Sequence, residues 1–323
     1  MKAATVTSSG IAVQSVTDPR PGATEVLVRV HAAGLNRAVL GIAAGHKHGP
    51  AGGAGTVPGL EWAGEVAEVG AEVTKFRPGD RVMCAGMGGY AEYALTDHGR
   101  CSLIPDGMSY EAAATLPIAL NTMHDAVVTN GRLEAGESIL VQGASAGVGL
   151  MAMQIARARG ASVVIGTSTN AERRARLTEF GATLTLDTTD PTWPDLAREA
   201  TGGRGVDVII DQVSAWMANG NMKAAAILGR IVNVGRLGGM KGEFDFDLHA
   251  LKRISYIGVT FRTRSLDEIR AITERMEADL WDAVSRQELR LPIDRVFPLD
   301  EVQAALAHMR ANAHFGKILL KPS

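Results

Sequence analysis

The sequence predicts an α/β chain in two parts: a β-rich domain of irregular, barrel-like shape and a doubly wound parallel sheet. Three observations lead there. Between residues 138 and 234, five strand-like segments alternate with helical ones, the pattern of a sheet wound by crossover helices. Segments such as Val206-Asp-Val-Ile-Ile210 are near-continuous apolar runs, which suit parallel strands covered on both faces. The first hundred residues instead break into short alternating runs divided by glycine-rich joints.

Taken in order, residues 26–30 alternate in strand fashion, and strands follow at 61–69, 80–83 and 90–95 around the turn Arg77-Pro-Gly-Asp80. A short helix is expected at 37–44. Residues 110–129 are Ala-rich and largely apolar, a buried helix broken or kinked at Pro117. Strands are then expected at 138–142, 162–166, 183–186, 206–211 and 230–234, with helices at 148–158, 171–180, 195–200 and 215–226. After a strand at 256–261 the pattern loosens into a helix at 266–280, a strand at 293–297, a helix at 301–310 and a strand at 318–320. This last segment is expected to complete the β-rich domain. The domain bounds are thus 1–116 with 257–323, and 117–256.

Composition narrows the function classes. A length of 323 residues suits about two domains, and 46% hydrophobic with 21% charged residues supports a sizeable core, which excludes a disordered chain. The formal net charge is −2 and no run of five like charges occurs, so neither nucleic acid nor an anionic membrane surface finds a footprint. Two cysteines, Cys84 and Cys101, make neither a disulfide framework nor a four-cysteine zinc site, and are read as small core hydrophobes. The N-terminal residues lack the apolar core of a signal peptide, and no apolar stretch approaches the roughly 18 residues of a membrane span. A soluble, cytoplasmic protein is expected.

The strand ending at Gln142 runs through Gly143-Ala-Ser-Ala-Gly147-Val-Gly149 straight into a helix. Small residues let the backbone approach a pyrophosphate, whose charge a helix N-terminus favours. Ala144 and Ala146 depart from the strict G-x-G-x-x-G pattern, and such a turn can also be purely structural. Within successive strand–helix units, dinucleotide binding is the better reading, with Ala146, Gly147 and Val148 at the phosphates. An NAD site wants an acidic residue at the end of the second strand, about 20 residues on. Here the segment reads Gly166-Thr-Ser-Thr-Asn170, and no acidic residue occurs between Glu137 and Glu172. Thr167 and Ser168 offer hydroxyls, and Arg173 and Arg174 offer forks suited to a 2′-phosphate, unless they are the solvated face of a helical turn. The expected cofactor is NADPH.

Seven stretches, running nearly end to end, now make a family resemblance: Ala33-Gly-Leu-Asn-Arg-Ala38, Val57-Pro-Gly-Leu-Glu-Trp-Ala-Gly64, Phe76-Arg-Pro-Gly-Asp-Arg81, the turn at 143–149, Gly229-Arg-Ile-Val-Asn-Val-Gly235, Phe261-Arg-Thr-Arg264 and His314-Phe-Gly-Lys317. The chain resembles the medium-chain dehydrogenase/reductase superfamily, in its zinc-free quinone oxidoreductase (zeta-crystallin-like) branch. The resemblance implies a GroES-like catalytic domain built from both termini, an inserted Rossmann domain and a homodimer. Zinc-dependent members carry a cysteine and a Gly-His-Glu; here Asn36 and Gly59-Leu-Glu61 stand at those places, so no metal is expected.

Without a Lewis acid, hydride transfer to an electron-poor acceptor is the accessible chemistry, because a conjugated carbonyl already stabilises the negative charge. The resemblance implies an NADPH-dependent reductase of quinones or activated α,β-unsaturated carbonyls, with a biosynthetic enoyl or enone reductase as the alternative. A rival of another class is an NADPH-binding, crystallin-like protein without turnover. By resemblance Asn36 lies near substrate, although it can equally be the N-cap of the helix that follows. A tyrosine that similar proteins carry downstream is replaced by Lys47, which leaves His46, Lys47 and His48 as proton donors, or as an exposed loop. Thr122, Val234, Gly235, Phe261 and Arg262 are expected on the nicotinamide side by the same resemblance, while His124 reads as a core histidine.

Overall fold

Short strands joined by glycine turns build the N-terminal region, as their alternation predicts. The computed structural model describes residues 1–8, 10–46 and 52–322. In chain order the first elements are β1 (Lys2–Thr7), β2 (Gly10–Ser15), β3 (Glu25–Gly34), α1 (Ala38–Ala43), β4 (Glu61–Val69), β5 (Arg81–Ala85), β6 (Tyr93–Asp97) and β7 (Cys101–Leu103). The β1–β2 hairpin lies outside the sequence expectation. The expected helix over 110–129 is three pieces: α2 (Tyr110–Ala113), α3 (Pro117–Met123) and a π-helical turn, His124–Asn130. Pro117, lacking an N–H, begins α3 rather than kinking a longer helix.

The parallel sheet follows as β8 (Ser138–Val141), α4 (Gly147–Ala158), β9 (Val163–Thr167), α5 (Ala171–Ala175), β10 (Leu184–Leu186), α6 (Trp193–Glu199), β11 (Val206–Asp211), α7 (Ala218–Ala224), β12 (Ala225–Asn233), α8 (Phe246–Lys252) and β13 (Ser255–Gly258). Several elements differ from expectation. The helix expected from 215 starts later, because Ser214 and Ala215 hold φ of 62° and 47°, outside the right-handed helical region. The strand expected to reach Phe261 ends at Gly258. Helix α8, capped by the Asp245 carboxylate, was not anticipated. The chain closes with α9 (Leu266–Ser285), β14 (Ile293–Pro298), α10 (Val302–Arg310) and β15 (Lys317–Lys321).

Residues Met1–Ile118 with Phe261–Ser323 form one unit, and Ala119–Thr260 a second. In the first, a seven-stranded sheet runs β14-β15-β3-β4-β5-β7, with β6 also on β3. Its core gathers around Trp62 and Tyr90, both fully buried. On β5 and β7 the register sets Cys84 directly opposite Cys101, and their sulfurs lie 3.3 Å apart as two free, buried thiols. Burial pushes the Cys84 thiol up, with the Cys101 sulfur adding to it. The second unit is a six-stranded parallel sheet ordered β10-β9-β8-β11-β12-β13. Leu140, Ile165, Ile209 and Ile231 lie buried on four adjacent strands, which accounts for their apolar runs.

Candidate functional site

In the second unit the strand order reverses between β8 and β11, where open α/β sheets bind ligands at their carboxyl ends. The turn after β8 is built for close approach. Gly143 takes φ +66°, and a Cβ at Gly149 would fall 2.7 Å from the Ala144 backbone, so α4 seats against the turn only with glycine there. Helices α2, α5, α8 and α9 begin on the side-chain caps Ser109, Asn170, Asp245 and Ser265. Helix α4, like α1, α6, α7 and α10, has no side-chain cap; it begins on Ala146, and its first N–H groups are open to an acceptor. That is a fit for a dinucleotide pyrophosphate, with Gly147 and Val148 presenting those amides, while the Ala146 N–H is held by the Gly143 carbonyl at 3.1 Å.

Hydrogen bonds join the turns along this edge. The Thr167 hydroxyl accepts from the Gly143 N–H (3.1 Å) and donates to Gln142 Oε1 (2.8 Å). Gln142 Nε2 donates to Asn221 (2.8 Å), and Gln212 Nε2 donates to the Gln142 carbonyl (3.1 Å). The Thr167 hydroxyl is thereby committed to shaping the turn. Ser168 stands beyond it, its hydroxyl 3.3 Å from that of Ser145.

The second-strand corner holds a carboxylate that a count along the chain misses. Parallel pairing sets Leu186 beside Thr167, so Asp187 arrives next to Ser168. Arg174 donates to both the Ser168 carbonyl (2.7 Å) and Asp187 Oδ2 (2.8 Å), and Thr189 donates its amide (2.9 Å) and hydroxyl (2.7 Å) to Oδ1. The Thr189 amide and hydroxyl, then Arg174, hold the Asp187 carboxyl below its usual range. Both oxygens already have donors within the chain. Arg173 stands half-buried in the first turn of α5.

Past β12, the Val234 and Gly235 N–H groups donate to the Asp211 carbonyl at 2.8 and 3.2 Å. Gly235 is needed for packing, since a Cβ would sit 2.5 Å from the Gln212 carbonyl oxygen. Thr122 lies half-buried on α3, and His124 is buried.

In the first unit, strand register gathers a second polar group. Antiparallel pairing sets Gly34 opposite Glu61 on β4 and opposite Leu319 on β15. Two residues past Gly34, the Asn36 amide donates to Glu61 Oε1 (2.9 Å), and Lys317 Nζ donates to Asn36 Oδ1 (3.4 Å) and forms a short ion pair with Glu61. The Ile118 N–H donates to Glu61 Oε2 (2.9 Å). A Cβ at Gly34 would fall 2.7 Å from Glu61 Oε1, so glycine makes room for the carboxylate. Burial, then the Glu61 charge, pushes the nearby Tyr90 phenol up, keeping it protonated. Asn36 caps no helix: the cap position of α1 is Arg37, without a side-chain bond. Its second Nδ2 hydrogen has only the Gly34 carbonyl, 3.5 Å away, beyond good hydrogen-bond length.

The remaining expected residues lie elsewhere. His46 is exposed just past α1, while Lys47 and His48 fall outside the described residues. Phe261, half-buried, and Arg262, exposed, belong to the first unit, in the turn before α9 rather than at a strand end. Glu61 and Lys317, which complete the Asn36 group, were missed as site residues, although both fall inside the stretches that carry the family resemblance.

Comparison with known proteins agrees with this arrangement. Residues 22–106 match the alcohol dehydrogenase GroES-like domain, and residues 147–278 match the family described as zinc-binding dehydrogenase. The quinone oxidoreductase of Rattus norvegicus is 32% identical over 311 residues, covering 94% of this chain and 91% of that protein. The chain belongs to the medium-chain dehydrogenase/reductase superfamily, in its quinone oxidoreductase branch. Like other members of that superfamily it pairs a GroES-like domain with a Rossmann sheet. A mycobacterial quinone oxidoreductase structure superposes with a TM-score of 0.89 at 25% identity, covering both chains fully. An NAD-dependent alcohol dehydrogenase superposes with a TM-score of 0.87 at 27% identity, covering 99% of each. A nicotinamide cofactor suits the fold and the uncapped start of α4. Among the described residues no cluster of three His, Cys, Asp or Glu side chains is placed to hold a metal ion.

Proposed function

We propose that this member of the superfamily is a zinc-independent, NADPH-dependent reductase of quinones and related α,β-unsaturated carbonyl compounds. The observation that supports it most is the pairing of an oxidoreductase fold with Asn36 at a zinc-ligand place, its amide held by Glu61 and Lys317. When bound, the reduced nicotinamide supplies hydride. The amides at the start of α4 hold the pyrophosphate. Ser168 and the arginine pair 173–174 favour a 2′-phosphate over a bare ribose, because the Asp187 carboxylate beside them already accepts three hydrogen bonds, from Arg174 and Thr189. Asn36, with one Nδ2 hydrogen committed to Glu61, keeps its other available for the oxygen that gains charge as a quinone or enone is reduced.

The test is NADPH and NADH consumption against a benzoquinone, a naphthoquinone, a 2-alkenal and a cyclic enone, with and without EDTA. Quinone turnover that prefers NADPH and ignores EDTA is expected; turnover of enones alone favours an enoyl-type reductase, and cofactor binding without any turnover favours a non-catalytic role. The variant Ser168→Asp with Arg173→Ala should move preference toward NADH, and an unchanged ratio would remove the case for the 2′-phosphate.

A further inference from the structure

Ser214 occupies backbone space that belongs to glycine, with φ 62° and ψ −155°. An L side chain there is strained and persists only where its surroundings impose it. The surroundings do. Asp211 Oδ1, at the end of β11, accepts from the N–H groups of Val213 and Ser214, both at 2.8 Å, and so drives the turn. The Ser214 hydroxyl then donates to the Gly235 carbonyl at 2.6 Å and accepts from Asn233 Nδ2. Its buried side chain ties the turn after β11 to the turn after β12. Around it the two turns meet backbone to backbone: Leu237 N–H donates to Gln212 (3.1 Å), and Gly238 N–H to Val213 (2.8 Å). A Cβ at Gly242 would fall 2.5 Å from the Ala215 carbonyl oxygen.

This clasp continues the line of bonds from Thr167 through Gln142 to Gln212 across β9, β8 and β11, and extends it to β12. A dinucleotide laid across such an edge puts its adenosine half toward the second strand and its other half beyond the switch point, over β11 and β12. We propose that Ser214 is a positioning residue for the nicotinamide half of the cofactor, acting through the Gly235 turn, with backbone strain accepted so that one hydroxyl can hold two turns in register. The proposal rests on the dinucleotide reading given above.

The experiment uses the full-length protein, Ser214→Gly and Ser214→Ala, with three readouts: thermal midpoint without ligand, affinity for NADPH by nucleotide fluorescence, and affinity for adenosine 2′,5′-bisphosphate, which lacks the nicotinamide half. Ser214→Gly relieves the strain while deleting the hydroxyl. Its midpoint is expected to equal or exceed that of the native protein, while NADPH binds about three- to tenfold more weakly and the bisphosphate binds as before. Ser214→Ala keeps the strain, so it should lose the same NADPH affinity and have a lower midpoint than Ser214→Gly. Native NADPH affinity in both variants would overturn the proposal, as would equal weakening of the two ligands. If the native protein prefers NADH, NADH and 5′-AMP replace the pair and the same comparison applies. A native protein that binds neither dinucleotide overturns the underlying reading as well, a result distinct from failure of the variants alone.

Discussion

The two units each bury a polar group, and they do so with different chemistry. In the β-rich unit the group is ionic: Glu61, fully buried, meets Lys317 and Asn36. In the parallel-sheet unit the group is neutral: Gln142, Thr167, Asn221 and Gln212 exchange hydrogen bonds at comparable depth. The ionic group fixes one amide with two opposite charges and is intolerant of losing either. The neutral one distributes the task of shaping a turn over several amides, so each loss is local. An orienting device and a scaffold for backbone amides thus call for different side chains.

Substitution at three positions sharpens that contrast, beginning with the largest expected effect. Lys317→Met leaves the Glu61 carboxylate buried without its cation and should cost about 3–5 kcal/mol in denaturant unfolding. The double variant Glu61→Leu with Lys317→Met should recover much of that stability, because the orphaned charge is gone. It should still show low turnover, because Asn36 has lost both groups that orient it. In the neutral group, Gln142→Leu should cost about 1–3 kcal/mol by stranding Asn221 and Thr167. A loss as large as that of Lys317→Met would erase the distinction.

A third, more accessible pair completes the series. The Arg270 guanidinium forks onto Asp97 at 2.9 and 2.7 Å, with the Gly99 amide and the Thr24 hydroxyl on the same carboxylate. Burial alone would push the Asp97 carboxyl up, but these donors outweigh it and bring it down from 3.8 to about 2. The fold therefore favours the ionised form. Its contribution is complete above about pH 4 and drains away as pH falls toward 2. Asp97→Asn should be about 1–2 kcal/mol less stable at neutral pH, a modest value because Arg270 is partly solvated. That gap should close in unfolding measurements taken toward pH 2.

What could be read along the chain follows the range of the interactions. The parallel sheet was legible because strands buried on both faces become continuous apolar runs, as at 206–211, and the turn at 143–149 because glycine and alanine mark a close approach. The hairpin of β1 and β2 and the helix α8 were not, since neither presents a strong period of its own. Asp187 escaped because only the parallel register of β9 and β10 sets it beside Ser168. Lys317 and Glu61 escaped as a pair because they are 256 positions apart and meet through the register of β3 with both β4 and β15. Ser214 carries no sequence mark at all; its strain is a property of the backbone into which Asp211 folds it.

The thiols of Cys84 and Cys101 face one another inside the sheet, and they are the chain's two cysteines. Sulfur attacks an electrophile as an exposed thiolate, and Cys84 is held as a buried thiol while Cys101 is closed off from solvent. Quinones and enones are Michael acceptors that alkylate accessible sulfur. With both thiols buried, the chain offers such acceptors no surface thiol to alkylate.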